Sequence, residues 1–176
     1  MRLFKGAGVG THWHTNDPRT NGGFFCAPGR PPSAVAVVTH IGGISHPSPY
    51  LSFSTSYAVA YAYAMMGPTV ATAANQGRIY EIDPSALPLV HPVEAIARLT
   101  NSWHHDGDQT LVLGVADPTG LGHHLTTHPQ RPPGSLARPA SVSDELVALV
   151  NSVRDAEVLV QGPVAPNCIV NTHLVP

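Results

Sequence analysis

The chain has 176 residues, 43% of them apolar, enough to bury a real core in one compact domain and short for two, so residues 1–176 read as a single domain. With 18 prolines and 16 glycines but only 11% charged residues, it should be rich in loops yet ordered. A formal charge of -2 gives no basic field for non-specific nucleic-acid binding.

In chain order, Met1 to Phe4 lead straight into a glycine-rich stretch with no apolar h-region. The expectation is a protein without a Sec-type signal, cytoplasmic or exported by another route. Arg2 to Lys5 is a short strand closed by Gly6-Ala7-Gly8-Val9-Gly10, where the backbone can approach a ligand because glycine has no Cβ. Residues 11–33 read as a long loop, and Val35 to Val38 as a strand or a helix segment. Tyr50 to Ser54 alternates like a strand, and Thr55-Ser56 offers a cap for an alanine-rich helix from Tyr57 to Met66. That apolar run is about half a membrane span, so no membrane partner is expected.

Gly77 to Pro84 is a period-2 strand with Ile79 and Glu81 on one face and Tyr80 and Ile82 on the other. Val93 to Leu99 is a short helix, Thr110 to Ala116 a strand, and residues 117–140 loop by composition. Ser141 to Arg154 carries apolar residues at helical spacing behind a Ser143 cap. Glu157 to Val160 is a strand ended by Gly162-Pro163, and Cys168 to Val170 another, which predicts a hairpin or paired strands at the C-terminus. Cys26 and Cys168 can form one disulfide at most, and neither lies in a CxxC pair or at a zinc spacing.

Three segments carry the chemistry: Leu3-Phe4-Lys5-Gly6, Phe53-Ser54-Thr55-Ser56-Tyr57, and Asp155-Ala156-Glu157 opening a strand. Their order resembles the Arg, Ser-Thr-Ser, (Glu/Gln)-x-Glu pattern of the cholera-toxin-like and pierisin-like branch of the ADP-ribosyltransferase superfamily. Gly77 to Pro84 resembles the strand that follows the Ser-Thr-Ser helix in that family, and the resemblance spans residues 2–170. It implies an α+β fold in which two small, mostly antiparallel sheets meet at an NAD cleft with flanking helices. It also implies NAD as substrate, cleaved between nicotinamide and ribose, with ADP-ribose passing to a protein or nucleic-acid base.

The residue types fit that chemistry. Cleavage passes through an oxocarbenium-like ribose, so a carboxylate at the ribose stabilises the developing charge; Glu157 is the candidate. A cation at the end of the first strand can hold the pyrophosphate or a ribose. Lys5, the chain's single lysine, stands where the family has arginine, and supplies a point charge in place of a planar fork. Arg2 is the substitute cation to consider.

By resemblance, Ser54 holds the glutamate and the NAD-contacting strand, Thr55 and Ser56 support the corner and cap the helix, and Gly6 offers a backbone contact to the nicotinamide amide. Asp155 stands two before Glu157, where the family has Glu or Gln, so the acceptor does not carry over. His12, with Trp13 and His14, is a candidate lining of the nucleotide site. The 11 histidines include local pairs but no HExxH or His/Cys quartet, and no metal is expected. Two other readings stand beside transfer: an NAD glycohydrolase with water as acceptor, and a degenerate domain that binds a nucleotide or protein without catalysis.

Overall fold

The computed structural model describes residues 1–27, 31–42, 47–99, 103–106, 109–112 and 144–176. Its elements are β1 (Leu3–Ala7), α1 (His12–Thr15), α2 (Ala34–Gly42), β2 (Tyr50–Ser54), α3 (Tyr57–Met65), β3 (Gly77–Ile82), β4 (Leu89–Val90), α4 (Pro92–Leu99), β5 (Trp103–Asp106), β6 (Gln109–Val112), α5 (Asp144–Arg154), β7 (Glu157–Gln161) and β8 (Ile169–Val175). The fold is α+β with antiparallel strands. The expected loop at 117–140, the Ser143 cap and the strand residues 113–116 lie outside the described residues.

The strands form a six-stranded sheet in the order β4-β7-β2-β1-β3-β8, and β5 pairs with β6 in a separate hairpin. This corrects the expectation of two small sheets, because β1 pairs on both sides and so ties the two halves into one ladder. The tie is thin. β1 and β3 share five registered pairs, as do β2 and β7, but β1 meets β2 only at Phe4 opposite Ser54.

The C-terminal strands need a second correction. β7 pairs with β2 and β4, whereas β8 lies at the far edge against β3, so they are not a hairpin. Gly162, at φ +89°, turns the chain out of β7, and Phe24 bridges Val164 through two backbone hydrogen bonds, carrying the chain beneath the sheet to its other edge.

Two local outcomes follow from serine and threonine. Ser33 decides the Val35 to Val38 run as helix: its Oγ accepts the Ala36 N–H at 3.1 Å and its carbonyl the Val37 N–H. Within the expected 11–33 loop, Thr11 donates from Oγ1 to the Gly8 carbonyl at 2.7 Å while its own carbonyl accepts from His14 and Thr15, closing the single turn of α1. Gly10, at φ +84°, supplies the bend before it.

One sheet face carries Leu3, Phe53, Tyr80, Ile82, Val158 and Val160, closed over by Phe24, Val164 and Trp13. The other face is covered by helices in two groups. Tyr50 and Leu159 pack with α2, α4 and α5, while Ile79, Val175 and Phe4 pack under Ala60 and Ala64 of α3. Ile79, Tyr80 and Ile82 are all fully buried, so β3 has cores on both faces and its alternation marks two cores instead of core and solvent.

The glycines of the N-terminal stretch serve this packing. A Cβ on Gly6 would lie 2.1 Å from the Ala60 carbonyl oxygen, and one on Gly77 would lie 2.2 Å from that of Ala64. The alanine-rich α3 therefore sits directly on the backbone of β1 and β3, capped by Ser56, whose Oγ accepts the Val59 N–H.

Candidate functional site

Segments some 50 and 100 residues apart meet across three adjacent strands. In the register, Phe4 faces Ser54 and Ser54 faces Glu157, so the first serine of the Ser-Thr-Ser corner stands between β1 and the opening of β7. Ser54 and Glu157 share the helix-covered face. They fall between Phe4 under α3 on one side and Leu159 under α2 on the other.

Ser54 is buried, and its hydroxyl donates to the Asp155 carbonyl at 2.6 Å while accepting the Ser56 N–H at 3.0 Å. Thr55 donates its N–H and its hydroxyl to the Ala156 carbonyl, at 3.0 and 3.3 Å. Both serve one turn. Ala156 has φ +46°, the single left-handed non-glycine among the described residues, a conformation costing an alanine on the order of 1–2 kcal/mol. The corner thus grips the two carbonyls that precede Glu157 and fixes where its side chain departs.

The Lys5 stem lies on the opposite face, with Nζ 5.5 Å from the centre of the Phe53 ring, and Nζ donates to the Ser52 carbonyl at 2.8 Å. That carbonyl is two residues beyond the last β1–β2 pair, so the ammonium occupies the opening where the strands part. Burial lowers its pKa to about 8, partly offset by the attraction of Glu157. Lys5 therefore remains a cation at neutral pH, with two N–H donors beyond its bond to Ser52.

Glu157 is half-buried, and its carboxyl is pushed up to about 6, first by desolvation and then by the charge of Asp155; the Ser52 hydroxyl, Lys5 and Arg154 pull the other way. Near neutral pH it is a carboxylate held close to its titration point. Asp155, expected beside it in the chemistry, is tied down: Arg154 donates Nε to Oδ1 at 2.6 Å and Nη2 to Oδ2, which also accepts the Tyr63 hydroxyl at 2.7 Å. The Tyr63 hydroxyl is correspondingly raised well above its ordinary pKa, by burial and then by Asp155.

The remaining expected residues divide. Thr55 and Ser56 act in the corner and the cap. Gly6 pairs with Ile79 and has its Cβ position filled by α3, so its smallness is accounted for by helix packing. His12 is exposed on α1, its ring edge-on to Trp13 and Phe25 and its Nδ1 3.4 Å from Asn16 Nδ2. Arg2 pairs with Glu81 and Asp83 at the other end of β3, leaving Lys5 as the first-strand cation near Glu157.

Two functional residues escaped the sequence reading. His40, buried on α2, has Nδ1 2.7 Å from Ser48 Oγ and Nε2 2.7 Å from Ser52 Oγ, and Ser52 stands diagonal to Glu157 on the same sheet face, where its hydroxyl pulls the carboxyl's pKa down. Burial and then Lys5 lower the imidazole to about 4, so the ring is neutral. A histidine among Val37, Val38 and Ile41 was the available signal, but it has meaning only once the run is known to be a helix.

Among the described residues no group of three or more His, Cys, Asp or Glu side chains is arranged to hold a metal ion, Cys26 and Cys168 are free thiols, and no helix is long and apolar enough to cross a membrane. Comparison with family models, curated proteins and solved structures finds no match to this chain.

Proposed function

We propose that the protein binds NAD, cleaves the bond between nicotinamide and ribose, and transfers ADP-ribose to a protein or nucleic-acid base. The observation that carries this reading is the adjacency of a cation, a hydroxyl corner and a half-buried carboxylate, Lys5, Ser54 and Glu157, on strands brought together from three distant segments. The order of these segments is that of the ADP-ribosyltransferases, and β1 parts from β2 after one pair, which opens the sheet beside Lys5.

In the proposed reaction Lys5 holds a phosphate or ribose oxygen through its free N–H groups. Glu157 binds ribose hydroxyls and faces the positive charge that grows on the ribose as the glycosidic bond breaks. The bonding pair leaves with nicotinamide, cancelling the charge of its ring, and the acceptor bonds to the ribose carbon and gives up a proton. Ser54 and Thr55 contribute by fixing the turn that aims Glu157.

A second reading has one specific observation behind it. Both carboxylate oxygens of Asp155 are engaged by Arg154 and Tyr63, so the residue that stands on the acceptor side in the family pattern has little capacity to recruit a macromolecule. Water would then be the acceptor. Incubation with NAD labelled in the adenosine half, with and without a cell lysate, tests both. Nicotinamide release with label in macromolecules supports transfer, release with only free ADP-ribose supports hydrolysis, and no release by wild type beyond that of Glu157→Gln sinks the enzyme reading.

A further inference from the structure

Resting on Glu157 as the catalytic carboxylate, we propose that His40 is its positioning residue, acting through Ser52 to keep a hydroxyl donor aimed at the carboxylate. The hydrogen bonds form one directed chain. The Tyr50 N–H donates to Ser48 Oγ at 3.2 Å, Ser48 Oγ lies 2.7 Å from His40 Nδ1, and His40 Nε2 lies 2.7 Å from Ser52 Oγ. Ser52 is diagonal to Glu157 on the same sheet face, since it stands opposite Leu159.

A neutral imidazole carries its proton on one nitrogen and accepts at the other. A hydroxyl has one hydrogen, so Ser52 cannot donate both to the ring and to the carboxylate. If Ser52 donated to Nε2, its oxygen would face an ionised carboxylate with no hydrogen between them, a repulsive arrangement in a buried site. The ionised glutamate therefore selects the tautomer with the proton on Nε2. That N–H occupies a lone pair of Ser52 and leaves its hydrogen pointing at Glu157, while Ser48 donates to Nδ1 and closes the chain.

Without the histidine, the Ser52 hydroxyl rotates among staggered positions and satisfies Glu157 only part of the time. The sequence encodes this link as a polar residue on the apolar face of α2, fixed where the α2 group meets the sheet. The other titratable and charged groups that act with Glu157 are Asp155 from the turn, Lys5 from β1, Arg154 from α5 and the Tyr63 hydroxyl from α3. Those facing His40 are Lys5 and, edge-on, the Tyr50 ring. None is altered by the variants below.

The test reads Glu157 directly, by following its carboxyl carbon through a pH titration in the full chain, alongside the nitrogen shifts of His40. The expected result is the Nε2-protonated tautomer at pH 8. The Glu157 midpoint should also rise by roughly one unit in Ser52→Ala and in His40→Leu, the scale of one hydrogen bond to a charged group, and stay near wild type in His40→Gln, whose amide keeps a donor at the Nε2 position. The acid limb of nicotinamide release should move in parallel, with kcat falling more than KM rises. An Nδ1-protonated His40 at pH 8, or an unmoved Glu157 midpoint in Ser52→Ala, overturns the proposal. If His40→Leu does not fold, Ser52→Ala and the wild-type tautomer still decide. Were the titrations to behave as expected while NAD stayed intact, the NAD reading would fail and the positioning role would stand.

Discussion

Ser54 and Glu157 stand directly opposite one another in the β2–β7 ladder, yet the Ser54 hydroxyl donates to the Asp155 main-chain oxygen, 2.6 Å away. Its influence on the glutamate passes through the backbone of the turn, whereas Ser52 stands diagonal to Glu157 on the same sheet face. Ser54→Ala should accordingly lower stability by about 1–2 kcal/mol, the cost of leaving a buried carbonyl unpaired, and reduce nicotinamide release without moving the Glu157 titration. Denaturant unfolding and a pH–rate profile read the two effects separately, and a shifted acid limb would show that Ser54 acts on the carboxylate directly.

The raised carboxyl of Glu157 ties stability and activity together with opposite signs. Its folded pKa of about 6 lies above the ordinary 4.5, so the folded chain binds this proton more tightly than the unfolded chain does. The associated stability is present in full below 4.5 and is lost as pH rises through about 6, on the order of 2 kcal/mol. Activity needs the carboxylate and should rise over that same window. Glu157→Gln should therefore be more stable than wild type at pH 8, with a flatter profile between pH 4.5 and 6, while losing turnover by roughly two orders of magnitude or more. Thermal melts of both proteins across the window check the sign.

Asp155 offers a complementary shift. Desolvation is the main reason that Glu157 titrates high, and the Asp155 charge adds to it, whereas Arg154 opposes it. Asp155→Asn removes the like charge and frees Arg154, so both changes should lower the Glu157 midpoint and carry the acid limb of activity downward. A pH–rate profile decides, and an upward shift would contradict this electrostatic account. Loss of the charged fork should also weaken the α5–β7 turn by about 1–3 kcal/mol.

The strands and the corner were legible because their signals are local. Alternation marked β2 and β3, a Gly-Pro stop marked the end of β7, and Ser56 ahead of alanines marked α3. What was not legible depends on partners distant in sequence. The Val35 to Val38 run fits a strand as well as a helix until Ser33 is seen to cap it. Pairing β7 with β8 was the shortest connection, but the Phe24–Val164 bridge lies some 140 residues across the chain and no periodicity announces it. Nothing in the alternation of β2 singles out Ser52, and its relation to Glu157 appears only with the register that sets the two diagonal.

Gly6 separates packing from ligand contact. With the Ala60 carbonyl oxygen 2.1 Å from a Cβ at this position, Gly6→Ala forces α3 off the sheet. The expected loss is roughly 1–3 kcal/mol or more, as for other overpacked sites, and it should appear in NAD-free protein. Differential scanning calorimetry checks it; an unchanged melting temperature would mean that α3 moves freely and that the glycine is kept for another reason.

Lys5 is where the enzyme reading is most exposed, because the proposed resemblance calls for arginine at this position and the chain has lysine. Its Nζ already donates to the Ser52 carbonyl at 2.8 Å, which points the stem into the parting of β1 and β2 and leaves two donors for a phosphate or ribose oxygen. Lys5→Ala should weaken NAD binding by about 1.5–3 kcal/mol, the range for hydrogen bonds to charged groups. Lys5→Arg should retain or improve it, since a guanidinium can engage two oxygens at once. The fold supplies an independent check on the burial of this ammonium. Its pKa is lowered from 10.5 to about 8, so above about 8 the unfolded chain binds the extra proton and wild-type stability should rise with pH until the unfolded chain begins to lose the proton of Cys26, a thiol that burial pushes above its ordinary 9.0 in the fold. Lys5→Ala should lack that rise. Calorimetric titration of NAD into the three proteins then separates the outcomes: a rise in stability with equal NAD affinities for wild type and Lys5→Ala makes Lys5 a buried structural cation, with no part in holding the dinucleotide.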